Sequence, residues 1–194
     1  MPEPDAVVTV LHFNDCYNVE EQHGEPVGGA TRFCTALKRF SHENPLILFS
    51  GDVLAPSIMS TFTKGEQMVP VLNCCGVDCA VYGNHDFDFG VDNLMDFAKQ
   101  TKFPWLISNV VDNETGKLLA DGEEYQVMER SGKKVCTIGR FVVLQCNSFE
   151  ARVTETRLII ARRCLGDHIQ VCLKSLANCP RMSHDSSPQG IEAL

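Results

Sequence analysis

The chain of 194 residues reads as a layered α/β domain built on a largely parallel sheet. Three observations carry that reading. Short apolar runs alternate along the chain with stretches of helical spacing. The apolar runs are mostly continuous rather than alternating, as strands covered on both faces are. Each run also ends in a polar residue, at the strand ends where open α/β sheets place their sites.

The elements follow in order. Residues 7–13 (VVTVLHF) form a buried strand rich in β-branched side chains. In 28–40 (GGATRFCTALKRF), Phe33, Ala36, Leu37 and Phe40 recur at helical spacing, which predicts an amphipathic helix. Residues 46–49 (LILF), after Pro45 and before Ser50-Gly51, form a second buried strand. Residues 63–72 are expected to be one helix ending near Asn73. Residues 79–82 (CAVY) are a short third strand bounded by Gly83. Residues 92–99 (DNLMDFAK) predict a helix with Asp92 as its N-cap. Residues 105–107 are a fourth strand, and 127–129 with 135–138 flank Ser131-Gly132 as a hairpin.

Composition excludes several classes. With 44% hydrophobic and 22% charged residues the chain is globular, not disordered. A net charge of −8 makes it a poor partner for a nucleic-acid polymer and a better host for cations. The start, MPEPDAVV, has no basic segment leading into an apolar run, and no stretch of 18 apolar residues occurs. No leader and no membrane span are expected, and the expected location is cytoplasmic. Ten cysteines include no Cys-x-x-Cys, so they are expected to be reduced and mostly buried.

Charge is unevenly spread. Residues 1–144 hold 20 acidic and 11 basic side chains, whereas 145–194 hold 5 and 6. A boundary near residue 140 is therefore expected, with 1–144 as the body and 145–194 as an atypical tail. In that tail 157–163 (RLIIARR) and 168–176 (HIQVCLKSL) have helix-compatible apolar spacing. Either Val171, Leu173 and Leu176 pack on the domain, or the stretch is a poorly ordered appendage.

The strand ends carry the chemistry. Strand one runs into Asn14-Asp15-Cys16-Tyr17, strand two into Ser50-Gly51-Asp52, strand three into Gly83-Asn84-His85-Asp86, and strand four into Ser108-Asn109. One sheet edge would thus gather Asp15, Asp52, Asn84, His85 and Asn109. Carboxylates, an amide oxygen and an imidazole suit hard or borderline divalent cations. One carboxylate can bridge two ions of the kind used in ester hydrolysis. His85 would protonate a leaving oxygen, with Asp86 or Asp88 behind its other ring nitrogen. An Asp or Asn after a strand is individually an ordinary turn former or cap. Several such ends together, one reading Gly-Asn-His-Asp, are hard to explain that way.

The blocks LHFND (11–15), SGDVLAPS (50–57), GNHDFDFG (83–90) and SNV (108–110) resemble, in order and spacing, those of the calcineurin-like metallophosphoesterases. The resemblance is to the 5′-nucleotidase / 2′,3′-cyclic phosphodiesterase branch and covers roughly residues 7–140. It implies a four-layer α/β/β/α sandwich holding two divalent ions (zinc, manganese, magnesium or iron) between two sheets. It also implies a nucleotide or other phosphate-ester substrate. Carried over, Asp15 is a ligand of the first ion, Asp52 the bridging carboxylate and Asn84 a ligand of the second. His85 is the catalytic histidine, Asp88 its carboxylate partner, and Asn109 lies near the substrate.

Two departures bear on activity. The first block of the family reads Asp-x-His, whereas here it reads Asp15-Cys16-Tyr17. A neutral phenol is a poor ligand, so Tyr17 either leaves the first site weakened or is compensated by Asn18, Cys16 or His12. His12 lies within the strand and is expected to be packed there. The family also supplies later histidines, ending in a Gly-His-x-His block. After His85 this chain has only His168 and His184, neither in such a setting. The pattern breaks off near residues 136–140, so a truncated form holding the first half of the core plus an unrelated tail is expected.

The resemblance and its departures imply two functions. One is a metal-dependent phosphoric ester hydrolase of nucleotide catabolism, weak or inactive in this form. The other is a non-catalytic remnant that binds metal or a partner, or self-associates through an exposed sheet edge. A lesser third reading assigns Cys74, Cys75 and Cys79 a metal or redox role, although their spacing is not that of a ligand set.

Overall fold

The computed structural model describes residues 7–144, 152–161 and 170–175, with side chains through residue 140. Two sheets stack, and helices cover one of them. The first sheet holds β1 (Val7–Phe13), β2 (Leu46–Phe49), β3 (Cys79–Val81), β4 (Trp105–Leu106) and β8 (Gln170–Ser175). Its order is β4-β3-β2-β1-β8 and every pair is parallel. The second sheet, β5-β6-β7, is antiparallel and comprises Tyr125–Arg130, Lys133–Leu144 and Arg152–Ala161.

The parallel sheet is apolar on both faces because it is covered on both. On one face Leu11, Phe13, Phe49 and Ala80 pack with α1 (Ala30–Lys38), α3 (Met68–Cys75) and α4 (Val91–Gln100). On the other face Val8, Val10, Leu48 and Val81 meet Val135 of β6. Gly139 of β6 lets the sheets close, since a Cβ there would lie 2.4 Å from Val81 Cγ2. Two hydrogen bonds fasten the same point: Ser108 N–H donates to the Gly139 carbonyl at 2.7 Å, and Gly139 N–H to Ser108 Oγ at 2.9 Å. Arg130 ties the hairpin to the parallel sheet, donating to Asp78 and, at 3.3 Å, to the Pro45 carbonyl. The layers are thus those of an α/β/β stack, with Tyr125 and Val127 exposed on the outer side of the second sheet.

Several expected elements appear with altered ends. The single helix over 63–72 is two helices, α2 (Ile58–Thr63) and α3. Lys64 (φ 52°) and Gly65 (φ 92°) turn left-handed between them, and a Cβ on Gly65 would strike Leu54 at 2.2 Å. Pro70 then falls in the first turn of α3, where its missing N–H is harmless. Gly76, left-handed at φ 72°, stops α3 after Cys75 rather than near Asn73. Gly90, not Asp92, is the N-cap of α4; Asp92 sits in its first turn, at the positive end of the helix dipole.

The largest departure concerns 157–163 and 168–176. Among the described residues their helix-compatible spacing forms strands: 152–161 is β7, paired with β6, and 170–175 is β8, paired with β1. Val171, Leu173, Ile159 and Ile160 are β-formers, and a neighbouring strand is available to each segment. β6 itself runs without interruption across the composition break. His168 and His184 lie outside the described residues. Cys34, Cys75, Cys79 and Cys136 are buried, Cys16 partly so, and Cys74 is exposed.

Candidate active site

The carboxyl ends of β1, β2 and β3 meet at one point because two glycines let their loops touch. A Cβ on Gly51 would lie 2.2 Å from Gly83 N, and one on Gly83 would lie 2.2 Å from Asp52 Oδ1. Asp15 N–H donates to the Gly51 carbonyl at 3.2 Å and Cys16 N–H to the Asp52 carbonyl at 3.1 Å, joining the first loop to the second. Asp15 (φ 56°) and Asp52 (φ 64°) are both left-handed, a conformation costing about 1–3 kcal/mol for a side-chain-bearing residue.

Asp86 holds these loops in place. Its carboxylate is fully buried and accepts four backbone N–H groups: Asp52 at 3.0 Å, Val53 at 2.7 Å, Leu54 at 3.2 Å and Gly83 at 2.7 Å. Burial pushes its carboxyl up, against those four bonds, which favour the charged form. Sequence reasoning offered Asp86 or Asp88 as the imidazole partner, and the structure separates them. Asp86 faces inward to the amides, whereas Asp88 Oδ2 lies 2.9 Å from His85 Nδ1.

Asp52 is the hub. Its Oδ1 accepts the His85 backbone N–H at 2.8 Å. Burial, followed by the negative charges of Asp86 and Asp15, pushes its carboxyl up to about 7, although the His85 N–H opposes the rise. For His85, burial pulls the imidazole down, but the bond to Asp88 and the charges of Asp52, Asp88 and Asp86 prevail and raise it. Asn84 is half-buried at the start of the same turn, and its side chain makes no cap hydrogen bond. Asn109 is exposed just beyond β4, at the same edge of the sheet.

Tyr17 lies within the cluster, its ring edge-on to His85 at 6.3 Å between centroids. Its hydroxyl donates to Asp15 Oδ1 at 2.8 Å, and the Asn14 amide donates to the other Asp15 oxygen. Burial first, then Asp52 and Asp15, suppress the acidity of Tyr17, so it stays a neutral phenol. His12 is packed as expected, with Nε2 2.6 Å from Ser50 Oγ and burial pulling its pKa down.

The donor chemistry fits a cation in part. Asp52 is a half-buried carboxylate whose charged neighbours include two more carboxylates, an arrangement that a divalent ion would relieve. Yet among the described residues no group of three or more His, Cys, Asp and Glu side chains is placed to hold a metal ion.

A stacked α/β/β fold with carboxylates, an amide and a His–Asp pair at converging strand ends defines the metallophosphoesterase class. The chain belongs to the calcineurin-like phosphoesterase family, whose sequence pattern matches residues 8–161. It is 30% identical over 152 residues to a probable 5′-nucleotidase of Treponema pallidum (strain Nichols), covering 70% of this chain and 25% of that protein. It is 33% identical over 150 residues to the snake venom 5′-nucleotidase of Naja atra, covering 68% of this chain and 28% of the relative. The NAD nucleotidase of Haemophilus influenzae shares the fold at a TM-score of 0.57 and 24% identity, over 66% of this chain and 25% of that structure. The chain thus spans about a quarter of the length of these proteins.

Proposed function

We propose that this site is that of a metal-dependent phosphoric monoester hydrolase of the 5′-nucleotidase type, working slowly in the present form. One observation supports the reading above the others: Asp52, His85 and Asp88 are joined in a line, with His85 N–H on Asp52 at 2.8 Å and His85 Nδ1 beside Asp88 at 2.9 Å. Asp88 accepts the Nδ1 proton and so leaves Nε2 to face a substrate. The raised imidazole pKa favours the protonated ring, which would donate to the oxygen that departs from phosphorus.

Asp15, Asp52 and Asn84 would hold a divalent ion, and Asn109 would lie near the substrate. When bound, the ion supplies charge neutralisation at the phosphoryl group and activation of the attacking water. The slow rate follows from the incomplete donor set and from Tyr17 occupying an Asp15 oxygen. A nucleoside 5′-phosphate is the proposed substrate class, after the names of the relatives.

The test is hydrolysis of a generic aryl phosphate and of nucleoside monophosphates by the purified chain with Mn²⁺ or Zn²⁺. His85→Asn should remove the activity. Equal rates in the two proteins would refute the assignment. The same Tyr17 contact and open donor set favour a second reading, a non-catalytic member of the family. That reading requires no turnover with any divalent ion.

A further inference from the structure

Away from the active site, three thiols and an ammonium gather where α1 packs on α3. Cys34 is on the buried face of α1, and Cys75 is on the buried face of α3. Cys74, next to Cys75, is exposed. Lys38 lies one turn after Cys34 and sets its Nζ 3.5 Å from Cys74 Sγ. The Cys34 thiol lies beside Cys74 and Cys75, close enough for both to act on its ionisation. An open groove of about 290 Å³, lined by Lys38, Ser41, Asn44, Cys74, Cys75 and Asp78, gives small molecules a way in. The grouping differs from the one the spacing suggested: Cys79 is buried in β3 against Thr137, and Cys34 takes its place.

We propose that Cys74 is a peroxide-reactive thiol and that Cys34 resolves its oxidised form into a disulfide linking α1 to α3. The two thiols have different neighbours. Cys74 has the Lys38 ammonium 3.5 Å away and the Cys34 thiol beside it, and these hold it below the ordinary thiol range. Burial pushes Cys34 up, as it does Cys75. Cys74 is therefore the thiol that ionises first, with a protonated Cys34 against it.

The chemistry balances with peroxide as the oxidant. The Cys74 thiolate attacks one peroxide oxygen; a sulfur–oxygen bond forms, the oxygen–oxygen bond breaks, and the departing hydroxide takes up a proton as water. Sulfur gives up two electrons and becomes a sulfenic acid. Cys34 sulfur then attacks Cys74 sulfur. A sulfur–sulfur bond forms, the sulfur–oxygen bond breaks, and the hydroxide leaves with the Cys34 proton as a second water.

The test treats the full, reduced chain with a modest excess of hydrogen peroxide and maps its peptides by mass spectrometry. A Cys34–Cys74 crosslink is expected. Cys34→Ser should instead leave Cys74 as a sulfenic acid that dimedone traps. Because Cys34 is buried, Lys38→Met serves as an independent exposed variant. It should slow alkylation of Cys74 roughly 3–10-fold, the cation that favours the thiolate being gone. A crosslink to Cys75, an unmodified Cys74, faster oxidation at Cys16, or an unchanged alkylation rate in Lys38→Met would each overturn the proposal.

Discussion

Asp52 offers the sharpest measurement, because its position sets stability against ion binding. Its carboxyl rises from 3.8 to about 7 in the folded protein. Such a group penalises folding little below pH 3.8, increasingly as pH climbs toward 7, and constantly above that. At full ionisation the ceiling of the penalty is ~4 kcal/mol, and at pH 5 about 1.6 kcal/mol. Local relaxation and solvent screening of this half-buried group bring the net value to about 1–3 kcal/mol. Asp52→Asn keeps an oxygen to accept the His85 N–H and removes the charge. In EDTA at pH 8 the variant should therefore be more stable than the parent by about 1–3 kcal/mol in urea denaturation, with a smaller gain at pH 5. Adding Mn²⁺ should stabilise the parent and not the variant. A variant that is less stable at pH 8, or equally stabilised at both pH values, would show that Asp52 is not under charge stress.

Two further outcomes are expected. Asp86→Ala leaves four backbone N–H groups without their acceptor, in a loop where Asp86 is fully buried. It should cost about 3–5 kcal/mol in chemical denaturation, far more than Asp88→Ala, whose carboxyl is half exposed. Tyr17→His replaces a neutral phenol on Asp15 with an imidazole that can ligate, and should tighten Mn²⁺ binding about tenfold or more in calorimetric titration. Unchanged affinity would mean that position 17 lies off the ion's path.

What could be read from the chain followed the range of the forces involved. Strands β1 and β2 appear with the expected bounds, since each is an apolar run with clear punctuation on the far side. The meeting of Asp15, Asp52 and Asn84 was also legible, because parallel strands carry their carboxyl ends to one edge. The break at Lys64-Gly65 was not, since it depends on Leu54 lying beneath the glycine. Pro70 was the available signal, being a poor interior residue for a helix running from 63 to 72. The role of Asp86 was hidden for a similar reason: three of its four donors come from a loop more than thirty residues earlier. The strand over 170–175 depends on β1 at the far end of the chain, and the one over 152–161 on the neighbouring β6, partners that periodicity within a segment cannot register.

Placement and competence are therefore separate properties of this site. Gly51, Gly83 and the buried Asp86 position Asp52 and His85 through backbone contacts, none of which needs an ion. Charge compensation is a different matter. Burial and the charges of Asp86 and Asp15 raise the Asp52 carboxyl, and the His85 N–H and imidazole offset them only in part. A fold that merely kept an old scaffold could shed this stress by exchanging one carboxylate for an amide. Asp15 and Asp52 instead keep their carboxylates, both on left-handed backbone, where a cation would relieve the charge.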